Sequence, residues 1–412
     1  MEDVTSLVVQ HLIEEEERDE QIISLLFLKN SKRQKVHDMF ISRREEGAFQ
    51  NLISKHLIDD ETKFHNYFRL TKYQFDFVLS AIAKDVFKAP TTTVKCPITP
   101  KEKLAVTLRY LATGESYRSL AFNFRISHCE ISNIVKEVLL AICENLMPIL
   151  LPPPTENDFK TRASEFWERW NFPNCVGAID GKHVRVMCPD QTGSLYFNYK
   201  NYFSVVLLAI VDAKYKFLAI DVGSYGKEGD SGIFSKSVMG QRIYTEKFGL
   251  PSEDIQLPGS DKCLPYVIVG DEAFRLHKRI MKPFNRAQAK ADFEKSVFNY
   301  RLSRARRVSE NAFGLLSQIF RVFYTPIAIK PETCDLLITA TCCLHNLIRD
   351  GYEEINTQIV HEELTNTQTT MRPLARFGGY GNVEGFEVRD AFKCFFNGEG
   401  KVNWQNHVVS RI

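Results

Sequence analysis

No CxxC pair occurs among the ten cysteines, which are scattered from Cys96 to Cys394. That scatter argues against a disulfide scaffold and against a zinc ribbon, and reduced, mostly buried thiols are the expectation. The chain also has no P-loop, no GxGxxG turn and no GxSxG elbow, so three common catalytic classes lack their sequence marks. No run approaches the ~18–20 uncharged apolar residues of a membrane span. The opening Met-Glu-Asp-Val lacks the basic-then-apolar layout of a secretory signal. No membrane is expected as a partner, and the nucleus (and cytoplasm) is the expected location. Nor does one sign of charge dominate, with 53 Lys+Arg against 51 Asp+Glu. A wholly basic coat is excluded, so any nucleic-acid surface must come from local clustering. No repeat of 20–50 residues is visible, which excludes solenoids and propellers.

What is present falls into four stretches. Residues 1–66 form a charged arm with an acidic run, Glu14–Glu17, and a basic run, Lys32-Arg33-Gln34-Lys35, short enough to be either an import signal or a solvated segment. Residues 67–150 read as helices. Phe75, Val78, Leu79, Ile82 and Val86 recur at helical spacing. Thr99-Pro100-Lys101-Glu102 has an N-cap, a proline at the first helical position and an early acid, and Gly114 marks the end. A second helix from Ser116 to about Phe124, a turn at Arg125-Ile126-Ser127 and a third helix from His128 to Leu146 have the helix-turn-helix layout. Ser127 and Glu130 stand at capping-box spacing. Groove-facing candidates are His128, Glu130, Ser132 and Asn133. A plain helical pair inside a bundle has the same signature.

Leu151-Pro152-Pro153-Pro154 breaks the chain. Residues 172–350 then turn to short β-branched runs, first strands and then strands alternating with helices, which suggests an α/β layer fold with a mixed sheet. The tail, 351–412, is rich in Thr, Asn and Gln at 356–370 and is assigned no function.

Two strands are read as ending in aspartate, Val176–Asp180 and Val267–Asp271. Ligands gather at the carboxyl ends of strands in α/β sheets. If the two strands are parallel neighbours, Asp180 and Asp271 meet at one edge, and a hard divalent cation would relieve their repulsion. Each acid alone is explained as readily by termination or capping. Glu310 follows on a helix whose stripe, Val308, Ala312, Leu315, Ile319 and Phe323, should pack on the sheet. Glu310 lies off that stripe, either solvated or directed into a cleft. Asp212 precedes a turn, Asp221 sits mid-strand, and Asp230 is an N-cap or an auxiliary acid of the site.

From Asp271 to Lys330 there are 13 Lys+Arg against 5 Asp+Glu, concentrated in Arg301, Arg304, Arg306 and Arg307. So one-sided a cluster beside acids suits a phosphate backbone. Tyr196, Tyr199, Tyr202 and Phe203, interleaved with Lys200 and Asn201, are candidates for base stacking or for core packing. His345, beside Cys342 and Cys343 in an apolar helix, reads as a core histidine.

The ordered set Ala178-Ile179-Asp180-Gly181-Lys182-His183, Tyr196-Phe197-Asn198-Tyr199-Lys200, Asp221-Val222-Gly223-Ser224, Asp230-Ser231-Gly232-Ile233-Phe234, Gly270-Asp271-Glu272-Ala273-Phe274, Asn299–Arg306, Glu310–Gly314 and Leu344-His345-Asn346 resembles the Harbinger/PIF-type DDE transposases. The resemblance covers roughly Val36 to Arg349. It implies an RNase H-like mixed sheet flanked by helices, preceded by an all-α helix-turn-helix-type region. It also implies that Asp180, Asp271 and Glu310 form a catalytic metal triad for divalent cations (Mg²⁺ or Mn²⁺), and that the partners are DNA and a separate Myb-like DNA-binding protein, with a homo-oligomer compatible. The reaction implied is phosphodiester hydrolysis or strand transfer. A domesticated, non-catalytic DNA- or chromatin-binding descendant is the main alternative, and a protein adaptor is the other.

Overall fold

Local capping chemistry sets the first helices of the computed structural model, which describes residues 36–92, 94–189, 192–225, 230–351, 371–373 and 381–411. The runs at 14–17 and 32–35 and the stretch at 356–370 lie outside the described residues. Helix α1 (Lys72–Val86) opens on a capping box in which Thr71 and Gln74 bond each other's backbone N–H. It buries Phe75, Val78, Ile82 and Val86. Helix α2 (Pro100–Thr113) starts at the Thr99 cap with Pro100 in place and stops at Gly114, whose φ of 70° is a left-handed cap that L side chains resist. Helices α3 (Tyr117–Phe124) and α4 (His128–Leu150) flank the turn at Arg125-Ile126-Ser127. The Ser127 hydroxyl accepts from the Glu130 N–H, and Arg125 takes φ 56°. Helix α4 runs four residues past Leu146, through Pro148. A proline so near the end removes only one hydrogen bond of the last turn.

After the proline break, α5 (Glu156–Trp170) leads into strand β1 (Cys175–Arg185). Strands β2 (Ser204–Val211) and β3 (Phe217–Tyr225) follow as an antiparallel meander. Next come α6 (Asp230–Lys236) and α7 (Val238–Tyr244), then two short strands, β4 (Val267–Val269) and β5 (Ile280–Met281). The order across the sheet is β3-β2-β1-β4-β5, with β4 parallel to both neighbours. It is a mixed sheet. The chain continues through α8 (Arg286–Ala291), the long α9 (Phe293–Ile319) and α10 (Pro331–Gly351). The two-residue strand β6 (Arg372–Pro373) pairs with Lys182 and His183 of β1, beyond the reach of β4. Helices α11 (Val383–Asn397) and α12 (Gln405–Val409) end the described chain.

Both faces of the sheet are covered by helices. One face, with Val176, Ile179, Leu208 and Ile268, packs on Phe159 of α5, Phe234 of α6 and Met239 and Ile243 of α7. The other, with Ala178, Leu207 and Val269, packs on α9 and α10 in a core that runs without interruption into the helices before the proline break. The tail does not stand apart from this core. Phe392 and Phe396 of α11 enter it against Phe172 and Phe298. All ten cysteines are free thiols; those at 175, 334, 342 and 343 are buried, but Cys96, Cys129, Cys188, Cys263 and Cys394 are exposed, so the expectation of mostly buried thiols fails. No helix among the described residues is long and apolar enough to cross a membrane.

Candidate active site

β1 and β4 are parallel neighbours with Ala178 opposite Val269. Asp180 and Asp271 each stand two residues further along the chain. Alternation along β1 gives Asp180 the face of Ala178. That face meets α9. Two details differ from the sequence reading. Asp180 is mid-strand, because β1 runs on through Gly181 to Arg185 with β2 paired along that whole stretch. β4 stops at Val269, so Asp271 lies just past it in a turn, its Oδ1 accepting from the Ala273 N–H at 2.9 Å.

Asp180 has a side chain only 6% exposed. Its Oδ1 accepts from the Gly181 N–H at 2.9 Å. Its Oδ2 meets Lys182 Nζ at 2.8 Å. That contact balances charge but is not aligned as a hydrogen bond, and Oδ2 has no other partner. Lys182 was missed by the sequence reading. The signal was available in Asp180-x-Lys182, since positions two apart on a strand share a face. The Lys182 ammonium also sits 5.4 Å from the centre of the Phe313 ring of α9, one helical turn from Glu310.

Glu310 is on the solvent-facing side of α9, 45% exposed, with Oε1 paired to Arg306 Nη1 at 2.8 Å. Arg306 in turn lines a cleft beside Asp271 and Glu272, together with Arg286, Lys290 and Tyr300. Lys282 is half-buried near the same two acids. Burial and Arg389 lower its pKa, while Glu272 and Asp271 hold it up. Asp180 and Asp271 therefore lie near the 306–313 stretch of α9 that carries Glu310, each acid with a cation of the chain close by. Among the described residues no group of three or more His, Cys, Asp or Glu side chains is gathered closely enough to hold a metal ion as it stands. By donor chemistry the acids suit a hard divalent cation, and the Asp180 oxygen without a hydrogen bond is the strongest sign of a place for one.

The arginine cluster divides. Arg301, read from the sequence as a DNA contact, is fully buried. Its guanidinium donates to the Asn171 carbonyl, to the Gly400 carbonyl at 3.0 Å and to Gln405 Oε1 at 2.8 Å, over the face of Phe396. No strand of DNA can reach it, so that assignment is withdrawn and Arg301 is a structural tie. Arg304 lies over Trp404, 4.8 Å from the ring centre. Arg307 is exposed. At the start of α4, His128, Ser132 and Asn133 are exposed and Glu130 is partly so. Asp230 opens α6, and its side chain lies outside the described residues.

The remaining candidates have structural work. Asp212 Oδ1 accepts from the N–H groups of Lys214 and Lys216 across a turn. His345 is buried with Nε2 at 2.8 Å from the Tyr215 carbonyl, and burial pulls its pKa down to about 4. Asn346 clips the Phe217 backbone through both its N–H and its carbonyl. Tyr196 meets Tyr225 edge-on and Phe197 meets Phe203, whereas Tyr199 is 55% exposed.

Residues 179–346 match the DDE superfamily endonuclease family, whose members generally use divalent metals. The Arabidopsis thaliana protein named "Protein ALP1-like" is 27% identical over 306 residues, 71% of each chain. A second Arabidopsis thaliana protein, "Antagonist of like heterochromatin protein 1", is 24% identical over 71% of this chain and 74% of its own. The Rattus norvegicus protein "Putative nuclease HARBI1" is 22% identical over 66% of this chain and 74% of its own. No solved structure gives a significant match.

Proposed function

Because the chain belongs to the Harbinger/PIF-type family of DDE transposase-derived proteins, we propose that it is a metal-dependent DNA nuclease, acting by phosphodiester hydrolysis or strand transfer through Asp180, Asp271 and Glu310. The reading takes the sheet as RNase H-like and the α3–α4 pair as a helix-turn-helix-type DNA contact. The observation that supports it is that Asp180 on β1 and Asp271, just past the end of the adjacent parallel β4, both lie near the helix that bears Glu310.

The chemistry of each residue follows from its setting. Asp180 and Asp271 are anchored through one oxygen by backbone N–H groups, which aims the second oxygen and removes its rotational freedom. Glu310 would turn inward by giving up its i,i+4 pair with the partly buried Arg306. Arg306, Arg307 and Arg304 would hold the backbone of the strand. His128, Ser132 and Asn133 would contact DNA from α4, and Asp230 would assist the site. A bound Mg²⁺ or Mn²⁺ would supply the charge that makes a water or a 3′-hydroxyl nucleophilic and stabilises the leaving oxygen. The partners in this reading are DNA, a Myb-like DNA-binding protein and further copies of the chain, in the nucleus and cytoplasm.

The test is Asp180→Asn in a Mg²⁺-dependent cleavage assay with the purified full chain. Cleavage should fall by at least about a hundredfold, the scale set by removal of a transition-state charge. Unchanged cleavage removes Asp180 from the mechanism. A second reading, a non-catalytic DNA- or chromatin-binding protein, draws support from the cation beside each acid and from a relative whose name refers to heterochromatin. It expects metal-independent DNA retention with no nicking even of pre-melted DNA.

A further inference from the structure

The cleft beside Asp271 has a volume of about 480 Å³, within the ~300–1,000 Å³ of small-ligand sites. It is far too small for a duplex. Its base is apolar, formed by Pro283, Leu302 and Val409, with the Tyr300 ring among them. Tyr300 is held in orientation by Trp404, which meets it edge-on at 5.9 Å. At its rim stand Arg286 and Lys290, both exposed and neither with an ion-pair or hydrogen-bond partner among the described residues. Arg306 adds a third cation, shared with Glu310. The Ser303 hydroxyl is exposed within reach of the interior. Asn299 also lines the cleft, but its amide is spent on the Phe284 backbone at 2.8 and 2.9 Å.

Flat apolar walls with an aromatic ring, a free hydroxyl and unpaired cations at the mouth match the parts of one nucleotide: base faces, base edge and phosphates. An uncharged peptide would leave Arg286 and Lys290 without a counter-charge, whereas every nucleotide brings a phosphate. Asp271 forms part of the wall, so the occupant is the neighbour of whatever phosphate that acid serves. A base still stacked in a duplex cannot enter a cleft of this size, so it must leave the stack.

We propose that this cleft receives a single unpaired nucleotide adjacent to the scissile phosphate, its base against Tyr300, Pro283 and Val409 and its flanking phosphates on Arg286 and Lys290. The C-terminal helix α12 thereby becomes part of the DNA site, through Val409. This rests on the DNA reading above and goes beyond it by naming a subsite that needs neither metal nor cleavage to be detected.

The experiment compares two short duplexes, one fully paired and one carrying a single bulged 2-aminopurine, titrated with the full chain at ~0.1 M salt in EDTA. The readout is the ratio of the two dissociation constants, with 2-aminopurine quenching as the sign of stacking. The bulged duplex should bind about tenfold more tightly, the scale of one stacked base. Ser303→Trp, which fills the cleft from an exposed helix position, should bring the ratio to about one. Arg286→Ala/Lys290→Ala, at exposed positions where folding is not at stake, should reduce it as well. A ratio of one in the parent protein, or a ratio that neither variant moves, overturns the subsite and leaves the DNA reading standing. Failure to retain either duplex overturns the DNA reading itself.

Discussion

The helices before the proline break and the sheet after it treat buried charge differently. In the helical region Lys103, 1% exposed, gives its ammonium to the Val86 carbonyl at 2.7 Å and to Glu137 at 2.8 Å. Its neighbour Glu102 is raised in pKa by burial, yet Arg43 pairs with it directly. After the break, two buried carboxylate oxygens have no hydrogen bond, Asp180 Oδ2 and Asp335 Oδ1. No buried carboxylate oxygen before the break is so placed among the described residues. A buried oxygen without a hydrogen bond destabilises a fold by roughly 1–3 kcal/mol, offset in part at Asp180 by the Lys182 charge. It persists where something other than stability keeps it, so the contrast itself directs attention to the sheet face that meets α9.

Arg301 should be the largest exception to that contrast, a charge after the break that is wholly satisfied. Arg301→Ala strands the Asn171 and Gly400 carbonyls and Gln405, and exposes the Phe396 face. A loss of about 3 kcal/mol or more is expected in denaturant unfolding, at roughly 1–3 kcal/mol for each buried acceptor left without a donor. Arg301→Lys should recover little, because one ammonium cannot span the fork of acceptors. A loss below about 1 kcal/mol for the alanine variant would return Arg301 to the pool of DNA contacts.

Acid should act on the sheet half more than on the helical half. Burial lowers the His345 pKa to about 4 from an ordinary 6.5, partly offset by its bond to Tyr215. A histidine lowered in the folded state binds fewer protons than in the unfolded chain, so stability is complete above pH 6.5 and is lost as pH falls toward 4. The full window is worth about 3 kcal/mol. His345→Gln should flatten the stability-versus-pH curve there, and an unchanged slope between pH 6.5 and 4.5 would contradict the burial argument. Asp335 runs the other way and is smaller. Burial first, and Glu332 second, raise it to about 6, so its stabilising share is complete below pH 3.8 and is lost as pH rises through 6. Asp335→Asn should stabilise by about 1–2 kcal/mol at pH 7 and by nothing near pH 4, read from paired thermal melts.

Signals confined to a few residues were legible in the sequence. Thr99, Pro100 and Gly114 bounded α2, and Ser127 placed the start of α4, because caps act over one turn. The mixed sheet could also be read, and so could the strand that carries Asp180, from five residues of what proved to be eleven, whereas the second strand ends at Val269, before Asp271. What failed was non-local. Arg301 counted toward a basic cluster because nothing near it announces that Gly400 and Gln405, 99 and 104 residues later, wrap its guanidinium. The cleft has the same origin, since Asp271, Tyr300 and Val409 meet only after folding. The tail was left unassigned on its Thr, Asn and Gln content, and the spacing of Phe392, Phe395 and Phe396 does not say which core they enter.

A double substitution whose net effect should be near zero is the sharpest probe of the comparison. The Asp180–Lys182 pair is nearly as buried as Lys103, with 6% and 11% of the side chains exposed, but it lacks the second set of hydrogen bonds that makes Lys103 secure. Breaking such a pair from one side leaves a buried charge, whereas replacing both partners is often neutral or stabilising. Lys182→Met alone should therefore lose about 2–3 kcal/mol at neutral pH. Asp180→Asn/Lys182→Met should sit within about 1 kcal/mol of the parent. Millimolar Mg²⁺ or Mn²⁺ should raise the Tm of the single variant and leave that of the double variant unmoved, because only the single variant keeps the uncompensated carboxylate. A double variant as damaged as the single one would mean that the pair is scaffold, like Lys103 and Glu137, and the distinction between the two halves of the molecule would then fail at the very residue chosen to represent it.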